Sequence, residues 1–155
     1  GHQFKRPHNV VNSLYLKPAD LERLVKERFE RYETIKKTEQ RAEEYLVDDA
    51  DIVVVAYGAS SRVARSAVNA ARAEGIKAGL IRPITLWPFP TDALQRAAQH
   101  VKKFLAVEMS MGQMVDDVRL AIHDQKPVEF YGRTGGMIPT PAEVLGAVKK
   151  AGGVL

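Results

Sequence analysis

Read for the alternation of apolar and polar positions, the chain divides into helices and strands that take turns. Residues 1–16 show no period, and from Pro18 onward Leu21, Val25, Phe29, Tyr32 and Ile35 recur at three- and four-residue steps. That spacing predicts an amphipathic helix over 18–38, with Pro18 in a first turn where a missing N–H costs nothing. Its polar face carries Glu22/Lys26 and Glu27/Arg31, opposite charges one helical turn apart. Glu44-Tyr45-Leu46-Val47 then reads as a short edge strand. Asp51-Ile52-Val53-Val54-Val55-Ala56-Tyr57 reads as a strand buried on both faces. The Asp48-Asp49-Ala50 turn between them suits a hairpin, and Asp48, Asp49 and Asp51 read as solvated turn residues, lacking the glycine and terminal glutamate of a calcium loop.

After Tyr57 the period lengthens. Gly58-Ala59-Ser60-Ser61 opens a helix whose packing face is small: Val63, Ala64, Ala67, Val68, Ala70 and Ala71. Ile76–Ile81 is a second buried strand, followed by the stiff loop Trp87-Pro88-Phe89-Pro90 and a helix carrying Leu94, Ala97 and Ala98. Phe104–Val107 is a third, leading to a helix lined by Met114, Val115, Val118, Ala121 and Ile122. Val128–Tyr131 is the last strand, and a glycine-rich loop precedes a helix with Val144, Leu145 and Val148. Ser110 with Gln113 and Thr140 with Glu143 fit capping boxes, the second with Pro141 at the first helical position. Strands alternating with helices predict an α/β fold, a mostly parallel sheet covered on both faces.

Composition narrows the function. The 155 residues contain no cysteine, which excludes a disulfide framework, a thiolate zinc site, an iron–sulfur cluster and a thiol nucleophile held by this chain. No apolar run approaches the ~20 residues of a membrane span, and no secretory signal is seen, so a cytoplasmic location is expected and no membrane partner. The net charge of +4 is spread evenly, with both signs interleaved and no basic stripe carrying aromatics. Nucleic acid is therefore not an expected partner.

Candidate chemistry gathers at strand ends. Gly58, Ser60 and Ser61 at the start of a helix suit an anion, or simply begin the helix; neither G-x-G-x-x-G nor a Walker pattern is present, and Ser60 is in no hydrolase elbow. Glu108, at the tip of the third buried strand and just before Ser110 and Gln113, stands where open α/β sheets place ligands, or else bonds to a neighbouring backbone N–H. Arg133, within Gly132-Arg133-Thr134-Gly135-Gly136, suits a carboxylate or phosphate, or an interface loop. Trp87 and Phe89 suit an interface or a core plug. His2, His8, His100 and His123 have no ligand-like spacing. The residues alone support no nucleophile–base pair, metal cage or complete cofactor motif.

Several blocks in fixed order carry a resemblance: Tyr45-Leu46-Val47 with Asp48–Gly58, Ala73-Glu74-Gly75-Ile76 through Arg82-Pro83-Ile84-Thr85-Leu86-Trp87-Pro88-Phe89-Pro90, Val107-Glu108-Met109-Ser110-Met111-Gly112-Gln113-Met114, and Phe130-Tyr131-Gly132-Arg133-Thr134-Gly135-Gly136-Met137-Ile138-Pro139-Thr140-Pro141. Over about residues 18–148 the chain resembles the alpha subunit of 2-oxoacid:ferredoxin oxidoreductases, of the branched-chain 2-oxoacid (3-methyl-2-oxobutanoate) and 2-oxoglutarate types. The resemblance implies a transketolase C-terminal-like domain: a three-layer α/β/α arrangement with five strands in order 1-3-2-4-5, the first antiparallel. Placed on this sequence, the strands are 43–47, 76–82, 51–57, 103–108 and 127–131 across the sheet, so that Gly58, Ser60, Glu108, Ser110 and Gln113 converge on one crevice. The implied division is an irregular lead at 1–16, a connecting helix at 17–40 and the α/β domain at 41–155.

The implied assembly uses thiamine diphosphate with Mg, [4Fe-4S] clusters and CoA, and passes electrons to ferredoxin. The implied partners are the N-terminal alpha-subunit domain, the beta subunit and other oxidoreductase subunits. This chain would be a C-terminal part of the alpha subunit, binding no cofactor alone and carrying no catalytic residue. The alternative is a free-standing regulatory module that binds a small anion in the strand-tip crevice.

Overall fold

A computed structural model describes residues 3–153. They form α1 (Pro18–Thr38), β1 (Ala42–Tyr45), β2 (Ile52–Val55), α2 (Gly58–Ala73), β3 (Ala78–Pro83), α3 (Thr91–Ala98), β4 (Lys103–Glu108), α4 (Met114–Ile122), β5 (Val128–Gly132) and α5 (Pro141–Gly152). Two compact units are distinguished, residues 1–34 and 35–155. Helix α1 starts at Pro18 as its spacing predicts, and none of its residues is buried: Leu21 and Phe29 lie open.

In the second unit the five strands run in the order β1-β3-β2-β4-β5, all neighbours parallel except β1 with β3. The apolar runs at the centre are split by the pleat, as a sheet covered on both faces requires. Val53, Val55, Phe104 and Ala106 face the layer of α3 and α4, packing with Leu94, Val101, Val118 and Ile122. Ile52, Val54, Leu105 and Val107 face α2 and α5, packing with Ala64, Ala67, Val68, Val144 and Val148. Alanines on α2 let it lie close over the sheet. Among the described residues no helix is long and apolar enough to cross a membrane.

The expected hairpin is not formed. β1 pairs with β3, Tyr45 opposite Leu80, and β3 lies between β1 and β2. The chain therefore crosses the end of β3 instead of folding back on β1. Leu46 takes a left-handed conformation (φ 53°), and the turn closes through the Ala50 N–H donating to Val47 O. Arg72 of α2 holds the crossing: it donates to both Asp49 carboxylate oxygens at 2.7 and 2.8 Å, to Leu46 O at 2.8 Å and to Ala78 O at 2.6 Å. Asp49, expected to be merely solvated, is thus the carboxylate half of a forked pair.

Candidate functional site

Glu108 closes β4 and is buried, 3% exposed, so its charge requires partners. It finds four. Oε1 accepts from the Val115 N–H at 2.9 Å; Oε2 accepts from the Gln113 and Met114 N–H groups and the Ser110 hydroxyl, each at 3.0 Å. Three of these are the amides at the start of α4, which no intrahelical carbonyl can serve, and a negative charge there also suits the helix dipole. Of the two readings of Glu108, the structure shows the bond to neighbouring backbone N–H groups.

The predicted Ser110–Gln113 capping box is absent. Gln113 is the N-cap and receives no side-chain cap; the Ser110 hydroxyl donates to Glu108 and accepts from the Gly112 N–H at 3.1 Å. A charged acceptor fixed on the strand takes the helix amides in place of a neutral hydroxyl. The Thr140–Glu143 box does form, both halves present. Burial first, then the charges of Asp116 and Glu108, push the Asp117 carboxyl above its ordinary 3.8.

The loop after Glu108 fits because residue 132 is glycine. Gly132 sits opposite Glu108 in the parallel ladder, and a Cβ there would stand 2.4 Å from Ser110 O. The Arg133 N–H donates to Glu108 O at 3.1 Å, but the guanidinium turns to Glu143, 2.6 Å away, and supports the capping box of α5. Glu143 is held below the usual carboxylate range, chiefly by the Thr140 N–H and hydroxyl.

The crevice implied by the strand order is present. About 300 Å³ in volume, it is lined by Tyr57, Gly58, Ala59, Ser60, Glu108, Met109, Ser110 and Gln113. Ser61 points elsewhere, its hydroxyl donating to Gly58 O at 2.7 Å. Arg133, Trp87 and Phe89 do not line it. Trp87 is half exposed beside the open Ile84 and Leu86, while Phe89 packs against the core under α3 and α4.

A second crevice of about 530 Å³ adjoins the first through Gly58 and Ala59 and was not read from the sequence. Glu43, Ser61, Arg62, Arg65 and Arg82 complete its lining. Glu43 lies opposite Arg82 across the β1–β3 ladder and accepts from Arg82 Nε at 2.8 Å and from Arg65, whose guanidinium also lies 4.2 Å over the Tyr45 ring. The available signal was Arg62 and Arg65 one turn apart behind a strand-end glycine, with Arg82 at the end of the neighbouring strand.

The donor sets do not suit the magnesium ion or the [4Fe-4S] cluster that the resemblance implies. Among the described residues no group of three His, Cys, Asp or Glu could hold a metal ion. The buried carboxylate is already met by four donors, and there is no thiolate for a cluster.

Comparison with known proteins agrees with this architecture. Residues 50–144 match the family described as pyruvate:ferredoxin oxidoreductase core domain II. The ketoisovalerate oxidoreductase subunit VorB of Methanothermobacter thermautotrophicus is 49% identical over 145 residues, 94% of this chain and 41% of that protein. The 2-oxoglutarate synthase subunit KorA of Methanothermobacter marburgensis is 44% identical over 101 residues, 65% of this chain and 27% of that protein. The chain thus spans about two fifths or less of these relatives' length. In fold it is similar to the 2-oxoglutarate:ferredoxin oxidoreductase from Magnetococcus marinus (TM-score 0.70, 24% identity, 88% of this chain and 24% of that one). It is also similar to a split-gene transketolase (TM-score 0.61, 23% identity, 72% of this chain and 41% of that one). By its match over more than half its length, the chain belongs to the pyruvate:ferredoxin oxidoreductase core domain II family.

Proposed function

We propose that the chain is an assembly domain of a cytoplasmic, thiamine-diphosphate-dependent 2-oxoacid:ferredoxin oxidoreductase, as part of a subunit of the alpha type. The whole complex oxidises a 2-oxoacid with CoA to an acyl-CoA and CO2, and its two electrons leave through iron–sulfur clusters to ferredoxin. The carrying observation is the 49% identity to a ketoisovalerate oxidoreductase subunit over 94% of the chain. The KorA match covers 65%, which favours a branched-chain 2-oxoacid over 2-oxoglutarate.

The domain's own residues supply surfaces, not chemistry. The apolar stripe of α1 and the open loop side chains Ile84, Leu86 and Trp87 are suited to burial against the N-terminal alpha-subunit domain, the beta subunit or other subunits. Glu108 acts in folding, by closing the start of α4.

An affinity tag on this chain, expressed in its own host, tests the reading. Viologen reduction that depends on 3-methyl-2-oxobutanoate and CoA should co-purify with the tag, whereas the isolated 155-residue chain given the same reagents and thiamine diphosphate should show none. Turnover by the isolated chain, or a tagged protein recovered alone and without activity, overturns it.

A further inference from the structure

The helices that follow β3, β4 and β5 each have a side-chain acceptor for an early amide. Glu108 serves α4, Thr140 and Glu143 serve α5, and Gln40 Oε1 accepts from the Asp92 N–H of α3 at 3.0 Å. Helix α2 differs. Its N-cap, Tyr57, is extended and caps nothing, and the Gly58, Ala59 and Ser60 N–H groups have no acceptor among the described residues. Gly58 (φ 57°) aims these successive amides to one side, as in an anion-binding nest.

A second observation is independent of the helix end. Ser60 is only 4% exposed, yet its hydroxyl has no hydrogen-bond partner among the described residues and is not sealed off: it borders the 300 Å³ crevice. The residue is buried while its unpartnered oxygen opens on the crevice, which leaves it available to a ligand there. On the other flank of Gly58 and Ala59, three guanidiniums face one carboxylate. Glu43 occupies Arg65 and Arg82, and Arg62 has neither ion pair nor hydrogen bond from its side chain.

We infer that the start of α2 binds the phosphate group of a small phosphorylated molecule. Its oxygens meet the Gly58–Ser60 amides and the Arg62 and Arg82 guanidiniums, and its uncharged part reaches past the Ser60 hydroxyl between Tyr57, Met109 and Gln113. The donor count favours phosphate over carboxylate. Three amides, a hydroxyl and the free guanidinium exceed what two carboxylate oxygens accept, whereas a phosphate offers three oxygens and nearly two negative charges to balance the excess of two positive ones. Glu108 does not forbid it, because its two oxygens are turned to the four donors at the start of α4 and the phosphate lies on the arginine side of Gly58 and Ala59. The site lies at the switch point of the sheet, outside the carboxyl end of β2, where the connections to β3 and β4 diverge.

Titration of the 155-residue chain with pyrophosphate and with inorganic phosphate, at constant ionic strength, tests this independently of any oxidoreductase assembly. Saturable binding with amide chemical-shift changes centred on residues 58–61 is expected. Ser60→Ala should weaken it about fivefold, one hydrogen bond's worth, and Arg62→Gln about tenfold, with urea midpoints unchanged. No saturation, shifts centred elsewhere, affinity indifferent to both substitutions, or equal binding of acetate or an acidic peptide would each overturn the assignment.

Discussion

Replacing Glu108 by alanine removes the single group that serves three amides at the start of α4. The bonds measure 2.9 Å from Val115 and 3.0 Å from Gln113 and Met114, with the Ser110 hydroxyl as fourth donor at 3.0 Å. Loss of an ordinary N-cap costs about 1–2 kcal/mol. Here the Met114 and Val115 donors are buried, and a buried donor left unpaired costs a further 1–3 kcal/mol or so. Water entering from the adjoining crevice can serve one of them, and the carboxylate no longer has to be dehydrated on folding, so the net loss is about 3–4 kcal/mol.

With a urea slope of about 1.5 kcal/mol per molar, the midpoint should fall by roughly 2 M, read by circular dichroism with the slope unchanged. Glu108→Gln keeps one accepting oxygen but turns an amide group towards donors, and should lose about half as much. A second reading is independent of unfolding: without the Glu108 charge, the Asp117 carboxyl should move down towards its ordinary 3.8 in an NMR titration, while the part due to burial remains. A midpoint change under about 0.5 M for the alanine variant would show that the α4 amides find other acceptors, and the capping argument would fail.

Gly132→Ala drives a Cβ to 2.4 Å from Ser110 O, a backbone atom that yields only if the whole loop shifts; a loss of about 1–3 kcal/mol is expected by urea unfolding, and a neutral result would mean that the loop is slack. Hydrogen bonding from Arg65, with Arg82 as a further donor, holds the Glu43 carboxyl below its ordinary 4.5, so the unfolded chain takes up that proton first. The stability tied to this carboxylate is therefore complete above about pH 5 and lost as pH falls through its unfolded and then its folded value. Urea midpoints of Glu43→Gln should lie under the parent's at about pH 6 and draw together as pH falls below the usual carboxylate range, and parallel curves would refute the linkage.

The parts legible in the sequence are those decided by neighbours along the chain. Runs such as Ile52–Val55 and Phe104–Val107 are apolar at every position, and only a sheet buried on both faces accommodates that. Thr140 and Glu143 are three residues apart and cap α5 as their spacing predicts. The misreadings share one cause, a distant partner that outbids a local pattern. Asp48-Asp49-Ala50 looks like a hairpin turn, but Arg72, 23 residues after Asp49, holds the chain across β3. Ser110 and Gln113 have capping-box spacing, but Glu108 on the preceding strand is charged and already fixed in place. The arginine crevice was illegible for the same reason: Glu43, Arg62 and Arg82 come from β1, α2 and β3, and only the strand order brings them together. That order came from family resemblance, and with it the convergence of Gly58 and Ser60 on Glu108.

What the carboxyl end of this sheet can do follows from how its helix starts are closed. A carboxylate that accepts four hydrogen bonds, as Glu108 does, has its lone pairs committed to ordering the start of α4. The Glu143 carboxylate is likewise engaged, by the Thr140 N–H and hydroxyl and by Arg133. A helix start filled by the chain's own carboxylate leaves no amide there for another anion. The start of α2 is left with its amides unmet, and positive side chains crowd beside it where negative ones stand at α4 and α5. What this end of the sheet leaves open among the described residues is a set of donors, suited to holding a ligand.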